Sequence, residues 1–300
     1  MRIIRFLDHD NSPTLGVITD DDLVFTLPCK GFMELVQEAE NRGVSTVEVI
    51  RGHITLSESY TDKPEKLRLL APIEAPEVWA AGVTYERSRN ARNYESTGGK
   101  QDAPTFYDKV YDAERPEIFF KSSAVRTVGP NQEVFLRSDS SWQIPEAELG
   151  LVVNKDGEIL GYTGGNDMSC RDIEGENPLY LPQAKIWKHS CAIGPTIRLA
   201  ETVENPYNLE ITLRIYRNNE KLVEGTANTG QLKRKYEELV AYLCRDNTVF
   251  DGTVLLTGTC IVPPDDFTLE HNDRIEIDIT GIGTLTNYAK NPQVIKAVSS

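Results

Sequence analysis

The sequence predicts an α+β protein, with a small mixed unit over residues 1–70 followed by a much larger, strand-rich domain over residues 71–300. Three observations carry this. Leu70-Ala71-Pro72-Ile73-Glu74-Ala75-Pro76 follows a polar stretch and is punctuated by proline, which marks a connector. Beyond it, short apolar runs alternate with polar residues and are separated by Gly, Pro, Asn and Asp, the signature of strands and turns. One helical stripe interrupts them, Leu232, Tyr236, Leu239, Val240 and Leu243, and predicts a helix over 231–244.

In chain order, 2–7, 14–19 and 23–26 read as strands, with Asp20-Asp21-Asp22 turning the chain between the last two. Phe32, Leu35, Val36 and Ala39 recur at helical spacing, and a second amphipathic patch covers 47–54. In the large domain 209–216 alternates, Asn218-Asn219 turns, and 221–224 returns. Residues 273–279 alternate charge with isoleucine, as a strand with one wet face should.

The formal charge is −14 and the pI about 4.9. Such a chain repels phosphate backbones and anionic lipid, and no dense Lys/Arg block offsets this, which argues against nucleic-acid and membrane partners. No apolar run approaches the roughly 20 residues of a membrane span, and the first apolar run is too short for a signal peptide, so a cytoplasmic protein is expected. The five cysteines are odd in number and widely spaced, without a zinc-finger pattern, and read as reduced thiols. His189 lies two residues from Cys191, a weak signal for a nucleophilic pair.

The most informative segment is Ile144-Pro145-Glu146-Ala147-Glu148-Leu149-Gly150-Leu151-Val152-Val153. It is apolar enough to be a buried strand, yet Glu146 and Glu148 project from one face. Buried like charges repel unless a cation offsets them. Asp156-Gly157 predicts a two-residue hairpin turn, and without a bulge the resulting register sets Asp167 opposite Glu146; Gly164-Gly165 is a place for a bulge, so the expectation is proximity rather than a specific pair. Three converging carboxylates suit a hard divalent cation such as Mg2+. The plainer alternative is that both glutamates lie on the solvent face of an edge strand and Asp167 caps a turn.

Several short motifs follow in order: Glu146-x-Glu148, Gly161-Tyr162-Thr163 with Asn166-Asp167 and Arg171-Asp172, Gln183-Ala184-Lys185, Gly194-Pro195, Leu256-Thr257-Gly258-Thr259, and Gly281-Ile282-Gly283-Thr284-Leu285-Thr286-Asn287. Together, over roughly residues 75–290, they resemble the fumarylacetoacetate hydrolase family. The resemblance implies a mixed β-roll with few helices for the large domain, and a homo-oligomer, dimer or tetramer. It also implies that Glu146, Glu148 and Asp167 hold Mg2+, with Mn2+ or Ca2+ as alternatives, and that Lys185 belongs to the active site.

Departures from the family pattern narrow the function. Its hydrolases carry a Gly-x-Asn-Tyr-x-x-His segment whose His helps activate water. Here the segment is Gly82-Val83-Thr84-Tyr85-Glu86-Arg87-Ser88, with Ser88 where the His would fall, and a missing base argues against hydrolysis. With Glu114-Arg115-Pro116-Glu117-Ile118-Phe119-Phe120-Lys121 and the run from Arg171 to Lys185, the chain is similar to the 2-keto-3-deoxy sugar-acid dehydratases of the family. That implies a magnesium-dependent hydro-lyase acting on a small 2-keto acid, a 2-keto-3-deoxy pentonate such as 2-dehydro-3-deoxy-D-arabinonate, to give 2,5-dioxopentanoate.

In that reading Lys185 and Glu114 are candidates for proton transfer, and Tyr85, Arg87, Ser88, Lys121 and Thr284 for substrate binding. Arg87 and Arg92, five apart, do not share a helical face, so at most one points inward. Plainer roles compete: a salt bridge from Lys185 to Glu174 or Glu176, a solvated loop for Glu114, a strand-end hydroxyl for Thr284, core for Phe119-Phe120. Two other functions compete as well, a metal-dependent C–C hydrolase or decarboxylase of acylpyruvates or oxaloacetate, and a sugar-acid binding protein without turnover. The missing His weighs against the first, and metal-dependent turnover separates the second.

Overall fold

The computed structural model describes residues 1–97 and 106–292. The strand Arg2–Leu7 pairs antiparallel with Pro13–Ile18, which pairs with Val24–Thr26 across the Asp20-Asp21-Asp22 turn. Helix Phe32–Arg42 buries Phe32, Leu35, Val36 and Ala39, and ends at Gly43, whose φ of 64° is the left-handed stop that glycine adopts without strain. Helix Thr46–Thr55 starts at a capping box, with Glu48 N–H donating to the Ser45 side chain and Ser45 N–H to the Glu48 carboxylate.

These first strands do not make a sheet of their own. Arg2–Leu7 pairs with Cys191–Leu199, Ile3 opposite Ile197. The main sheet therefore runs Val24–Thr26, Pro13–Ile18, Arg2–Leu7, Cys191–Leu199, Ile159–Asp167, Ala147–Val153, Thr253–Thr259, Glu77–Gly82, Glu117–Ser123. One of its faces packs Leu15, Phe32 and Val49 into the same core as Val152, Ile193 and Leu256. The other packs Leu149, Leu151 and Leu255 against a second sheet built around Glu210–Arg217, Arg274–Ile279 and Gly283–Lys290, through Leu213, Ile277 and Leu285. The result is a mixed, strand-rich α+β fold of the β-roll type, as expected from the sequence.

Two local expectations are corrected. The helix expected over 231–244 spans Tyr236–Cys244. Asn228 caps a short 3-10 turn, Thr229–Gln231, and Leu232 is extended. Lys233 then donates to the Tyr111 carbonyl at 2.6 Å and Arg234 to the Glu114 carbonyl at 2.9 Å, so tertiary contacts hold the stretch out of the helix.

The hairpin after Val153 is also wider than two residues. Asn154 N–H donates to the Glu158 carbonyl and Gly157 N–H to the Asn154 carbonyl, both at 3.1 Å, with Gly157 at φ 80°. The Asn154 side chain organises this loop, accepting from Asp156 N–H at 3.1 Å and Glu158 N–H at 2.8 Å. Val153 then pairs with Ile159 but Val152 with Gly161, so Leu160 is a bulge. The turn and the bulge shift the register by one residue in opposite senses, so the far end regains the pairing of the bulge-free count, and in this strand pair the bulge falls at Leu160 rather than at Gly164-Gly165.

Among the described residues no helix is long and apolar enough to cross a membrane, and all five cysteines are free.

Candidate active site

The site grows out of the middle of the main sheet, where every residue of Ala147–Val153 is buried. At its edge Glu146 and Asp167 exchange backbone hydrogen bonds, Glu146 N–H to Asp167 O at 3.2 Å and Asp167 N–H to Glu146 O at 3.0 Å. Glu148, two residues on, projects to the same side. One oxygen from each of the three carboxylates lies within 4.8 Å of the others, and Glu146, Glu148 and Asp167 are 6%, 2% and 1% exposed.

Two fully buried lysines meet this charge. Lys185 ends the short helix Leu181–Lys185; its Nζ donates to Glu146 Oε2 and, at 3.3 Å, to Asp167 Oδ2. Lys121, from the strand Glu117–Ser123, lies 2.5 Å from Asp167 Oδ1 and also donates to the carbonyls of Met168 and Lys185. Glu148 instead accepts the Gly258 N–H at 2.6 Å. Burial, then repulsion from Asp167 and Glu146, pushes its pKa well above the carboxylate range. At Glu146 burial pushes upward too, but Lys185 and Arg92 outweigh it and the pKa falls. At Lys185 burial pulls down, yet Asp167, Glu146 and Glu174 hold the pKa above normal, so without a metal it is an ammonium group.

Three carboxylates thus face two lysines, and Glu148, to which neither lysine donates, is the one left without a compensating cation when it ionises. A converging, all-oxygen donor set with uncompensated charge is what a hard divalent cation takes, and these residues fit Mg2+.

The surroundings are equally ordered. Gly258 has φ 96°, and a Cβ there would lie 2.0 Å from Thr84 Oγ1 and 2.9 Å from the Ala81 carbonyl, so only glycine presents this N–H to Glu148. Arg92, 6% exposed, forms an ion pair with Glu174, which accepts from Ser169 Oγ at 3.0 Å. Phe119 walls the site beneath Lys185 Nζ, 5.7 Å from its ring centre. Glu117 pairs across the sheet with Gly82, and a Cβ at Gly82 would strike its carboxyl. Its Oε2 is buried with no hydrogen-bond partner among the described residues, and burial raises its pKa. The void among Ser88, Arg92, Phe119 and the carboxylates is about 20 Å3. Arg92 also lines an adjoining, mainly apolar cleft of about 510 Å3 with Glu117, Glu174 and Leu181.

Comparison with known proteins gives the same direction. The model for the fumarylacetoacetate (FAA) hydrolase C-terminal domain matches residues 77–289. The chain belongs to the fumarylacetoacetate hydrolase family. Within it, the chain is 48% identical over 229 residues to a 2-dehydro-3-deoxy-D-arabinonate dehydratase of Saccharolobus solfataricus, over 76% of each chain. It is 50% identical over 216 residues to a "Probable 2-keto-3-deoxyxylonate dehydratase" of Haloferax volcanii, over 72% of this chain and 73% of that one. A solved 2-keto-3-deoxy-D-arabinonate dehydratase, complexed with magnesium and 2,5-dioxopentanoate, matches with a TM-score of 0.82 at 38% identity, over 97% of this chain and 99% of that chain.

Of the residues singled out in this family member, Glu146, Glu148, Asp167 and Lys185 come together, and Ser88 lines the same void. The Ser88 hydroxyl also starts helix Glu86–Thr97, donating to the Tyr85 carbonyl at 2.8 Å. Lys121 lies behind Asp167, where its donors go to protein acceptors. The other candidates are not brought to the cluster. Tyr85 is core, its hydroxyl buried and, among the described residues, unpartnered. Arg87 is exposed and lines a separate cleft, while Arg92 turns inward. Glu114 is exposed, engaging Arg234 through its carbonyl. Thr284 is exposed on the second sheet, donating to Asp278 at 2.6 Å. His189 lies outside any strand and burial pushes the Cys191 thiol up to about 12, which leaves no nucleophilic pair.

Sequence reasoning passed over Glu117 and read Phe119 as core. A partial signal was there, since Phe119 and Glu117 stand two apart on one strand and share a face, whereas Glu114 lies before the strand.

Proposed function

We propose that the chain is a magnesium-dependent hydro-lyase that removes water from a 2-keto-3-deoxy pentonate of the 2-dehydro-3-deoxy-D-arabinonate type and releases 2,5-dioxopentanoate. The observation that carries this reading is the buried Glu146, Glu148 and Asp167 cluster flanked by Lys185 and Glu117, with serine at position 88. Bound Mg2+ supplies Lewis-acid polarisation of the keto acid's oxygens, which acidifies the C3 proton.

The chain's own residues handle protons and space. One proton leaves C3, and the C4 hydroxyl leaves with a proton as water. A second proton moves from C5 to C3, and the C5 enol becomes the aldehyde. Glu117, whose pKa burial raises, is the acid for the departing hydroxyl. Lys185 serves the C3 side, and it sheds its proton only once the charge on Glu146 and Asp167 is neutralised. Arg92 faces both the void and the cleft, positioned to hold a substrate oxygen, and the cleft supplies the volume a five-carbon acid needs.

The test is turnover of a small panel of 2-keto-3-deoxy pentonates with Mg2+ and with chelator. Aldehyde formation that is lost on chelation and restored by Mg2+ is expected, as is its loss in folded Glu146→Gln and Lys185→Ala proteins. Hydrolysis of acylpyruvates without dehydration would overturn the reading in favour of a hydrolase. Binding of the acids without turnover would overturn it in favour of a sensor.

A further inference from the structure

We infer a second metal site, for a borderline divalent cation of the Zn2+ class, formed by Cys29, Glu38 and His53. The three come from separate elements: the segment before helix Phe32–Arg42, that helix, and helix Thr46–Thr55. One ligand atom from each lies within 4.8 Å of the others. Glu38 Oε2 is 3.8 Å from Cys29 Sγ and 3.1 Å from His53 Nε2. A tetrahedral Zn2+ with ordinary bond lengths separates its S and O ligands by about 3.5 Å and its N and O ligands by about 3.3 Å. The apposition is therefore close to a coordination shell before any ion enters.

Two further features support it. Arg42 holds the other Glu38 oxygen at 3.0 Å, which aims Oε2 at the cysteine and histidine in the way an outer-shell partner orients a ligand. The site also has access, because the Glu38 and His53 side chains are 31% and 22% exposed, and water can complete the fourth position. Thiolate and imidazole select a softer metal than the all-oxygen cluster, so the two sites discriminate by chemistry. An ion here ties the loop to both helices and stabilises the folded state alone.

The competing account is an Arg42–Glu38–His53 ion-pair chain with Cys29 packed beneath it. Co2+ separates the two, since the ion-pair account predicts no thiolate ligation, and of the two ligand clusters among the described residues this is the one that contains sulfur. Full-length protein saturated with Mg2+ is titrated with Co2+ and followed by its thiolate-to-cobalt charge-transfer absorption. The expected result is a band that saturates at one Co2+ per chain and is bleached by Zn2+. It should disappear in Cys29→Ser, weaken about tenfold or more in His53→Ala, and persist in Glu146→Gln. No band in the folded, Mg2+-saturated protein, or a band that survives in Cys29→Ser, would overturn the assignment. Far-ultraviolet circular dichroism of each variant confirms folding, and dehydration activity is not involved in the readout.

Discussion

Glu114 and Glu117 stand three residues apart and differ in everything an acid needs. Glu114 is exposed, whereas Glu117 is half-buried with its Oε2 shielded from solvent, feels Lys185 and Glu146, and keeps its proton to higher pH. Glu117→Gln is expected to lower kcat by about 10²–10⁴-fold, the usual contribution of a positioned acid or base, in steady-state kinetics. Glu114→Gln should leave kcat unchanged, and a large loss there would reverse the assignment. Lys121 is a residue of another kind, its Nζ held by Asp167 and two carbonyls and lying 5.3 Å from the Trp187 ring centre. Lys121→Met leaves the Asp167 charge buried with less compensation, at a cost of about 3–5 kcal/mol. Urea unfolding of the metal-free protein measures it, and Mg2+ should recover part of the loss.

At the scale of elements, the strand pair Ala147–Val153 and Ile159–Asp167 makes the site, and its register was legible although its turn was not. Side chains alternate with period two, so a slip of one residue would carry Glu148 to the opposite face. The Leu160 bulge prevents that by compensating the wider turn. Nothing in the local sequence announces a bulge at a leucine, since the extra residue is set by how both strand ends are held. The neighbouring strand Thr253–Thr259 adds Gly258, whose backbone conformation and close contacts with Thr84 and Ala81 exclude a side chain. Gly258→Ala should cost about 1–3 kcal/mol in strain and misplace the N–H that Glu148 accepts. Lower Tm together with weaker Mg2+ binding is expected; lower Tm with undiminished Mg2+ binding would separate that strain from the site.

For the whole molecule, the first strands extend the main sheet, and one core is shared from Leu15 to Leu256. The carboxylates are embedded in that framework, so their ionisation is felt by global stability. Glu148, its pKa raised, stabilises the metal-free fold at low pH, a contribution lost as pH rises through its folded-state value. Glu146, its pKa lowered, acts the other way, and its contribution is lost as pH falls. Mg2+ requires both as carboxylates. The rise in Tm on adding Mg2+ should therefore be smallest near about pH 4–5 and grow as pH rises above the ordinary carboxylate range. Thermal melts with Mg2+ and with chelator across pH check it, and a gain independent of pH would contradict Glu148 as a ligand.

The sequence by itself determined the strand-rich class, the family, and the meeting of Glu146, Glu148 and Asp167. Each of these rests on local periodicity or on ordered short motifs, which survive in one dimension. Tertiary structure alone decided that Lys121 backs Asp167 across 46 residues of chain, that Arg92 rather than Arg87 turns inward, and that Glu117 rather than Glu114 lines the cleft adjoining the cluster. It also decided that the opening strands join the main sheet. The physical reason is that alternation fixes which residues share a face, whereas burial and charge compensation depend on which distant element covers that face.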